Sequence, residues 1–205
     1  MKIRTSTVRL TQTAILIALL IVCACIPLRT LGLEITFSVI PVAVGAILMG
    51  PAAGALLGAV FGLCSFAQCF GWFFPSPFGA MLVAVDPFLT FLVCVPTRLL
   101  MGFFTGWIFK GMQSVDRTTA KMPSFTVANL CAALLNTLLF MSTLMLCFGQ
   151  SEIILNFRAQ SGTSNVLTFV LWFVGINGLV EALVSFFLGT TLSKALDKAL
   201  KFMRV

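Results

Sequence analysis

Histidine is absent from this chain, and charge is scarce: 13 basic and 6 acidic residues among 205. Without imidazole there is no Ser-His-Asp relay, zinc-peptidase motif or histidine metal centre. No G-x-x-x-x-G-K-[ST] run occurs, so the sequence carries no P-loop ATPase of its own. The seven cysteines (Cys23, Cys25, Cys64, Cys69, Cys94, Cys131 and Cys147) form no C-x-x-C pair. They fall in or beside apolar runs and read as packed or lipid-buried thiols.

What remains is hydrophobic. Apolar residues make up 60% of the chain and charged residues 9%, against roughly a quarter charged in a soluble domain. This composition predicts an all-α, polytopic membrane protein, with residues 1–205 forming a single membrane domain. Six spans are expected, near Leu10–Leu28, Ile35–Met49, Pro51–Phe70, Pro87–Met112, Ser124–Phe148 and Val166–Leu192. Most reach the ~20 apolar residues that a bilayer core requires. The second is short and contains Pro41, so a bent or incomplete crossing is expected there, and Gly50-Pro51 predicts a tight turn into the third. Leu10–Leu28 is long enough to span and shows no small-residue cleavage pattern, so it reads as a span and not a leader.

Ten of the thirteen bases fall on one side of this arrangement: Lys2, Arg4 and Arg9; Lys110, Arg117 and Lys121; and Lys194, Lys198, Lys201 and Arg204. The positive-inside rule then places both termini in the cytoplasm of a cell-membrane protein. Topology accounts for the +7 net charge without nucleic acid as a partner. The opposite side carries the longer connections, Arg29–Glu34, Gly71–Asp86 and Gly149–Asn165. Gly71-Trp-Phe-Phe-Pro-Ser-Pro-Phe-Gly79 is too apolar for a solvated linker and too rich in proline for a helix. It suits an interfacial anchor or a lid over a cavity equally well.

Against this background two charges inside apolar runs stand out, Arg98 and Glu181. Ionisable groups at membrane depth are costly and usually face a bundle interior or a substrate path. Arg98 lies eleven residues beyond Pro87, on the order of 16 Å deep, and Asn136 falls at a comparable depth. Polar stripes recur on three spans: Thr90, Thr97/Arg98 and Thr105; Asn129, Asn136 and Thr143; Asn177, Glu181 and Ser185. Their convergence predicts a buried polar site. Arg98 and Glu181 either pair with each other to hold the bundle, or Arg98 receives a ligand carboxylate or phosphate with Glu181 or Asn177 orienting it. Arginine suits the second role because its planar fork binds a carboxylate bidentately and stays protonated. Asp86, followed by Pro87, reads as a helix cap. Gly50, Gly54, Gly58 and Gly62 form a ridge for close helix packing, and Ala14/Ala18 make a small-residue pair on the first span.

Three stretches carry a family resemblance: Ala14-x-x-x-Ala18; the run from Ile40-Pro-Val-Ala-Val-Gly through Gly50-Pro-Ala-Ala-Gly-Ala-Leu-Leu-Gly58; and Gly175-Ile-Asn-Gly-Leu-Val-Glu181. With them the chain resembles the S component, the substrate-binding membrane subunit, of energy-coupling factor (ECF) vitamin transporters. The resemblance implies a binder that captures a small water-soluble vitamin from outside and delivers it through a transmembrane coupling subunit and two cytoplasmic ATPases. The Ala14/Ala18 face would meet the coupling subunit. The outward loops and the outer halves of the last three spans would form the pocket. Gln68, Trp72, Thr90 and Trp172 then join Arg98, Asn136, Asn177 and Glu181 as substrate-binding candidates. The nickel and cobalt members use an N-terminal histidine, which is missing here, so no metal and no cofactor is expected. The pantothenate-like group is the most similar, with riboflavin, a pyridoxine-type vitamin or cobalamin also open. The competing class is a secondary transporter of a small anionic metabolite driven by an ion gradient, with Glu181 as its proton site. Such folds are commonly larger and built from repeats, and no repeat of the first three spans is visible in the last three. An enzyme is not expected, since so few acid–base groups are present.

Overall fold

The computed structural model describes residues 5–203 except 27, 31–32, 36, 73, 116–121 and 163–164; the side chains of 5–6, 28–30, 33–35, 166–167, 176–177 and 201–203 also lie outside the description. Lys2, Arg4, Arg117, Lys121 and Arg204, which carry part of the topology argument, are outside it. Helix α1 (Thr5–Ala24) leads into a two-stranded antiparallel ribbon, β1 (Leu28–Thr30) and β2 (Leu33–Ile35), with Arg29 opposite Glu34. Then follow α2 (Val39–Met49), α3 (Pro51–Cys69), α4 (Pro77–Val85), α5 (Pro87–Val115), α6 (Met122–Phe148), α7 (Glu152–Ser161), α8 (Val166–Val184), a π-helical stretch (Ser185–Gly189) and α9 (Thr190–Met203). Among the described residues, five segments are long and apolar enough to cross a bilayer: Thr7–Ala24, α3, α5, α6 and Gly178–Leu200. With the shorter apolar α2 they form the six-segment helical membrane bundle that the hydropathy predicts, the small β1–β2 ribbon aside; the last segment is Gly178–Leu200 and not Val166–Leu192, because the backbone breaks at Gly175.

Helix α2 is short because it is the filling of the bundle. Its 11 residues rise about 16 Å, roughly half a hydrocarbon core. Residues 39–47 are all buried, with α1, α3, α5, α6 and α9 packed around them. A helix apolar on every side is stable only in such a setting. Pro41 does not bend it, since it falls in the first turn, where an N–H has no intrahelical partner to lose. Gly50 (φ 97°) makes the expected turn into α3.

The tightest contact joins α3 and α5. A Cβ on Gly54 would collide with the Gly102 carbonyl, one on Gly58 with the Arg98 carbonyl, and one on Gly62 would come within 2.6 Å of Val95 Cα. The glycine ridge is therefore a backbone-to-backbone seam, and it fixes α5 in register at the turn that carries Arg98.

The α3–α5 and α6–α8 connections each hold a short helix where the sequence predicts loop. Proline does not exclude α4: Pro77 occupies the first turn, and the Ser76 hydroxyl accepts from Gly79 N at 3.2 Å. The proline-rich stretch stops where the helix starts. Helix α7 is N-capped by Ser151, whose hydroxyl accepts from Ile154 N at 3.4 Å, and C-capped by Gly162 in the left-handed conformation. Phe78 of α4, Phe157 of α7 and Phe173 of α8 meet with ring centroids 5.4–5.9 Å apart, tying both short helices to the bundle. Asp86 caps α5 as expected, its Oδ1 accepting from Phe88 N at 2.8 Å and Leu89 N at 3.0 Å.

Candidate functional site

Arg98 sits on α5 two residues beyond Pro96, which brings no N–H to the Leu92 carbonyl. Around this interrupted turn the side chains fold back on the backbone. Thr97 Oγ1 donates to the Val93 carbonyl, and Arg98 Nη1 donates to the carbonyls of Val93 (3.3 Å) and Cys94 (3.1 Å). The guanidinium carbon lies 4.9 Å from the ring centroids of both Phe61 on α3 and Phe140 on α6. Such contacts are worth about 2 kcal/mol or more each when desolvated. Arg98 is only 7% exposed, and its Nε has no hydrogen-bond partner. The charge is thus held by aromatic faces and one turn of carbonyls, with one donor edge left over.

One turn from Phe140 on the same face of α6 is Asn136. Its Nδ2 donates to Glu181 Oε1 at 2.9 Å, joining α6 to α8, while its Oδ1 is buried without a partner. Asn136 and Glu181 are 8% and 7% exposed. Arg98, eleven residues from the start of α5, and Asn136, twelve from the end of α6, both lie about 16–18 Å below the α4/α7 end. Arg98 donates to carbonyls of its own helix, and Glu181 accepts from Asn136. The molecule therefore brings Arg98, Asn136 and Glu181 to one level of the bundle, with an unused donor on one side and an unused acceptor on the other.

The remaining candidates separate. Thr90 is buried, but its hydroxyl donates to the Asp86 carbonyl at 2.8 Å, and Thr105 does the same to Met101. The α5 threonine stripe is largely satisfied within its own helix. Gln68 Nε2 donates to the Ala24 carbonyl at 2.8 Å, closing the end of α1. Trp72 and Trp172 are exposed, Trp172 with its ring stacked on Phe169. The side chain of Asn177 lies outside the described residues. The lower polar residues form a separate junction, in which Asn129 Nδ2 donates to Ser193 Oγ at 3.2 Å and to the Phe125 carbonyl.

Sequence reasoning missed Phe61 and Phe140. Phe140 was within reach, four residues from Asn136 on the same face, but among 21 phenylalanines nothing singles out Phe61. It also missed that Glu181 lies between two breaks, Gly175 (φ 35°, ψ −125°) and the π-helical stretch from Ser185. Only glycine reaches that conformation at 175 without strain. Irregular turns of this kind are frequent at functional sites.

A multi-pass helical bundle holding a buried cation with unmet hydrogen-bonding capacity has the build of a membrane solute-binding protein. A model of the family described as "ECF transporter, substrate-specific component" matches residues 8–193, and the chain belongs to that family. Members are transporter components, not enzymes; they bind a small substrate and work with a membrane coupling subunit and ATPases. No curated protein matches the chain.

Proposed function

We propose that this substrate-specific component captures a small, water-soluble vitamin with an anionic group, and that Arg98 is its anchor. The observation carrying this reading is the Arg98 guanidinium, buried between Phe61 and Phe140 with Nε unpartnered. A carboxylate would complete that donor edge. The orphaned Asn136 Oδ1, held in place through Glu181, would accept from a hydroxyl or amide N–H of the same ligand. A pantothenate-like molecule has this combination of groups. Asn177 is assigned here too, on its place one turn before Glu181 on α8. Gln68, Trp72, Thr90 and Trp172 are placed in the outer part of the path, toward the α4/α7 end.

In this reading the α4/α7 end faces outward, both termini are cytoplasmic, and the cargo leaves through a coupling subunit driven by two ATPases. The exposed Ala14 and Ala18 face of α1 is the surface offered to that subunit. Helix α1 is held to the bundle chiefly by Leu16 and Leu20, which leaves most of its length free for a partner. Reconstitution tests the proposal. Vesicles containing this chain alone should bind labelled vitamin but not accumulate it, even under a pH gradient, whereas adding the coupling module and ATP should start uptake. Accumulation by the chain alone under a proton gradient would instead establish the ion-driven carrier.

A further inference from the structure

The last membrane segment runs on into α9, whose polar and apolar sides are separated more sharply than in any other described helix. Its inner side is fixed. Leu192 and Leu196 pack against the core around α2, and Ser193 Oγ accepts from Asn129 Nδ2 of α6 at 3.2 Å. Lys194 and Lys198 stand one turn apart, the first partly buried and the second exposed. Lys201 continues this spacing in the sequence, against one acid, Asp197. Toward the middle of the bundle Leu183, Phe187, Thr191 and Ala195 follow at intervals of four, all exposed. This strip starts with large apolar side chains and ends in small ones beside the lysine pair. Depth sets its surroundings. Lys194 lies about 20 Å beyond the Glu181 level, at 1.5 Å per residue. Hydrocarbon reaches roughly 15 Å to either side of a bilayer's middle, with headgroups several ångströms further. Trp107, exposed on α5 about 14 Å beyond Arg98, marks that boundary as interfacial tryptophans do. Lys194 therefore stands at phosphate depth with Lys198 in reach of it, and the strip from Leu183 lies among acyl chains. Lys110, at a similar depth on α5, is turned elsewhere: its Cε and Nζ would be 3.8 and 4.0 Å from a Cβ on Gly50, at the α2–α3 turn.

We propose that the strip and the lysine pair are a binding site for one acidic glycerophospholipid. An acyl chain lies along Leu183 and Phe187, the glycerol passes the small side chains of Thr191 and Ala195, and the phosphate and anionic headgroup meet the Lys194 and Lys198 ammonium groups. Lysine suits this place because its stem runs along apolar surface while its charge reaches out to phosphate. Each lysine near a membrane surface favours acidic over neutral lipid by roughly fivefold. The strip is continuous with the lipid-facing side of the last membrane segment, so the lipid needs no separate route to it.

Purified, delipidated full-length protein in a non-ionic detergent is offered equal amounts of dioleoyl phosphatidylglycerol and dioleoyl phosphatidylcholine, and retained lipid is counted by native mass spectrometry. The wild type should retain phosphatidylglycerol with a preference on the order of twentyfold, smaller at high salt. Lys194→Gln with Lys198→Gln should bring the two lipids close to parity, whereas Lys110→Gln should keep the preference. Should the double variant fail to fold by circular dichroism, Lys198→Gln alone changes only an exposed side chain and should lower the preference about fivefold. Equal retention of both lipids by the wild type, or an undiminished preference in the folded lysine variants, would overturn the proposal. So would release of the bound phosphatidylglycerol by millimolar inorganic phosphate, which would make a free anion the ligand. The lipid is counted without any vitamin, so failure here and failure of the Arg98 anchor are separate results.

Discussion

Phe140 does for Arg98 what water cannot do at this depth: it presents a polarisable face to a cation that has lost its hydration. Replacing it with leucine keeps most of the volume and removes that face. Phe140→Leu should weaken ligand binding by about 1–2 kcal/mol, roughly ten-fold, and leave the helical content unchanged. Equilibrium binding beside circular dichroism checks both expectations. Arg98 and Glu181 stand out in the sequence because charges are so few there. What they touch does not, because aromatic partners are drawn from helices far apart in the chain. The hydrogen bonds around the two charges, to Val93, Cys94 and Asn136, are likewise not legible in the sequence.

At the scale of elements, the α3–α5 seam determines where the Arg98 turn sits. Gly58 faces the Arg98 carbonyl directly, so a side chain there must separate the helices at the site itself. Gly58→Val should destabilise the protein by about 1–3 kcal/mol or more, lowering the unfolding midpoint in detergent. The same substitution at Gly111, where nothing lies within 4 Å, should leave that midpoint nearly unchanged. The spans were legible from hydropathy because a bilayer accepts little else, and the glycine ridge from its period of four. Helices α4 and α7 were not. Both are short and lie in connections, and α4 follows the prolines of Pro75-Ser-Pro77. Their caps, Ser76 and Ser151, were visible, but a lone serine is too common a signal to define a helix. The break at Gly175 and the π-helical turn likewise leave no periodic trace in so uniformly apolar a segment.

For the whole molecule, the proposed reading assigns capture and coupling to different surfaces. Arg98, Asn136 and Glu181 lie within the bundle, whereas Ala14 and Ala18 lie on the outside of a helix that is only lightly buried. A protein with Ala14→Trp and Ala18→Trp should therefore bind vitamin with wild-type affinity yet fail to co-purify with the coupling module and ATPases. Loss of both functions together would mean that α1 supports the pocket. Among the described residues, many polar side chains serve caps, helix junctions or the level of Arg98, Asn136 and Glu181. The most direct test of that site is titration of purified wild-type, Arg98→Ala and Arg98→Lys proteins with a panel of labelled vitamins. One anionic vitamin should bind the wild type. Affinity should fall by on the order of 2–5 kcal/mol in the alanine protein and by less in the lysine protein, which keeps the charge but loses the fork. Equal affinity in all three, with all three folded, would contradict the account.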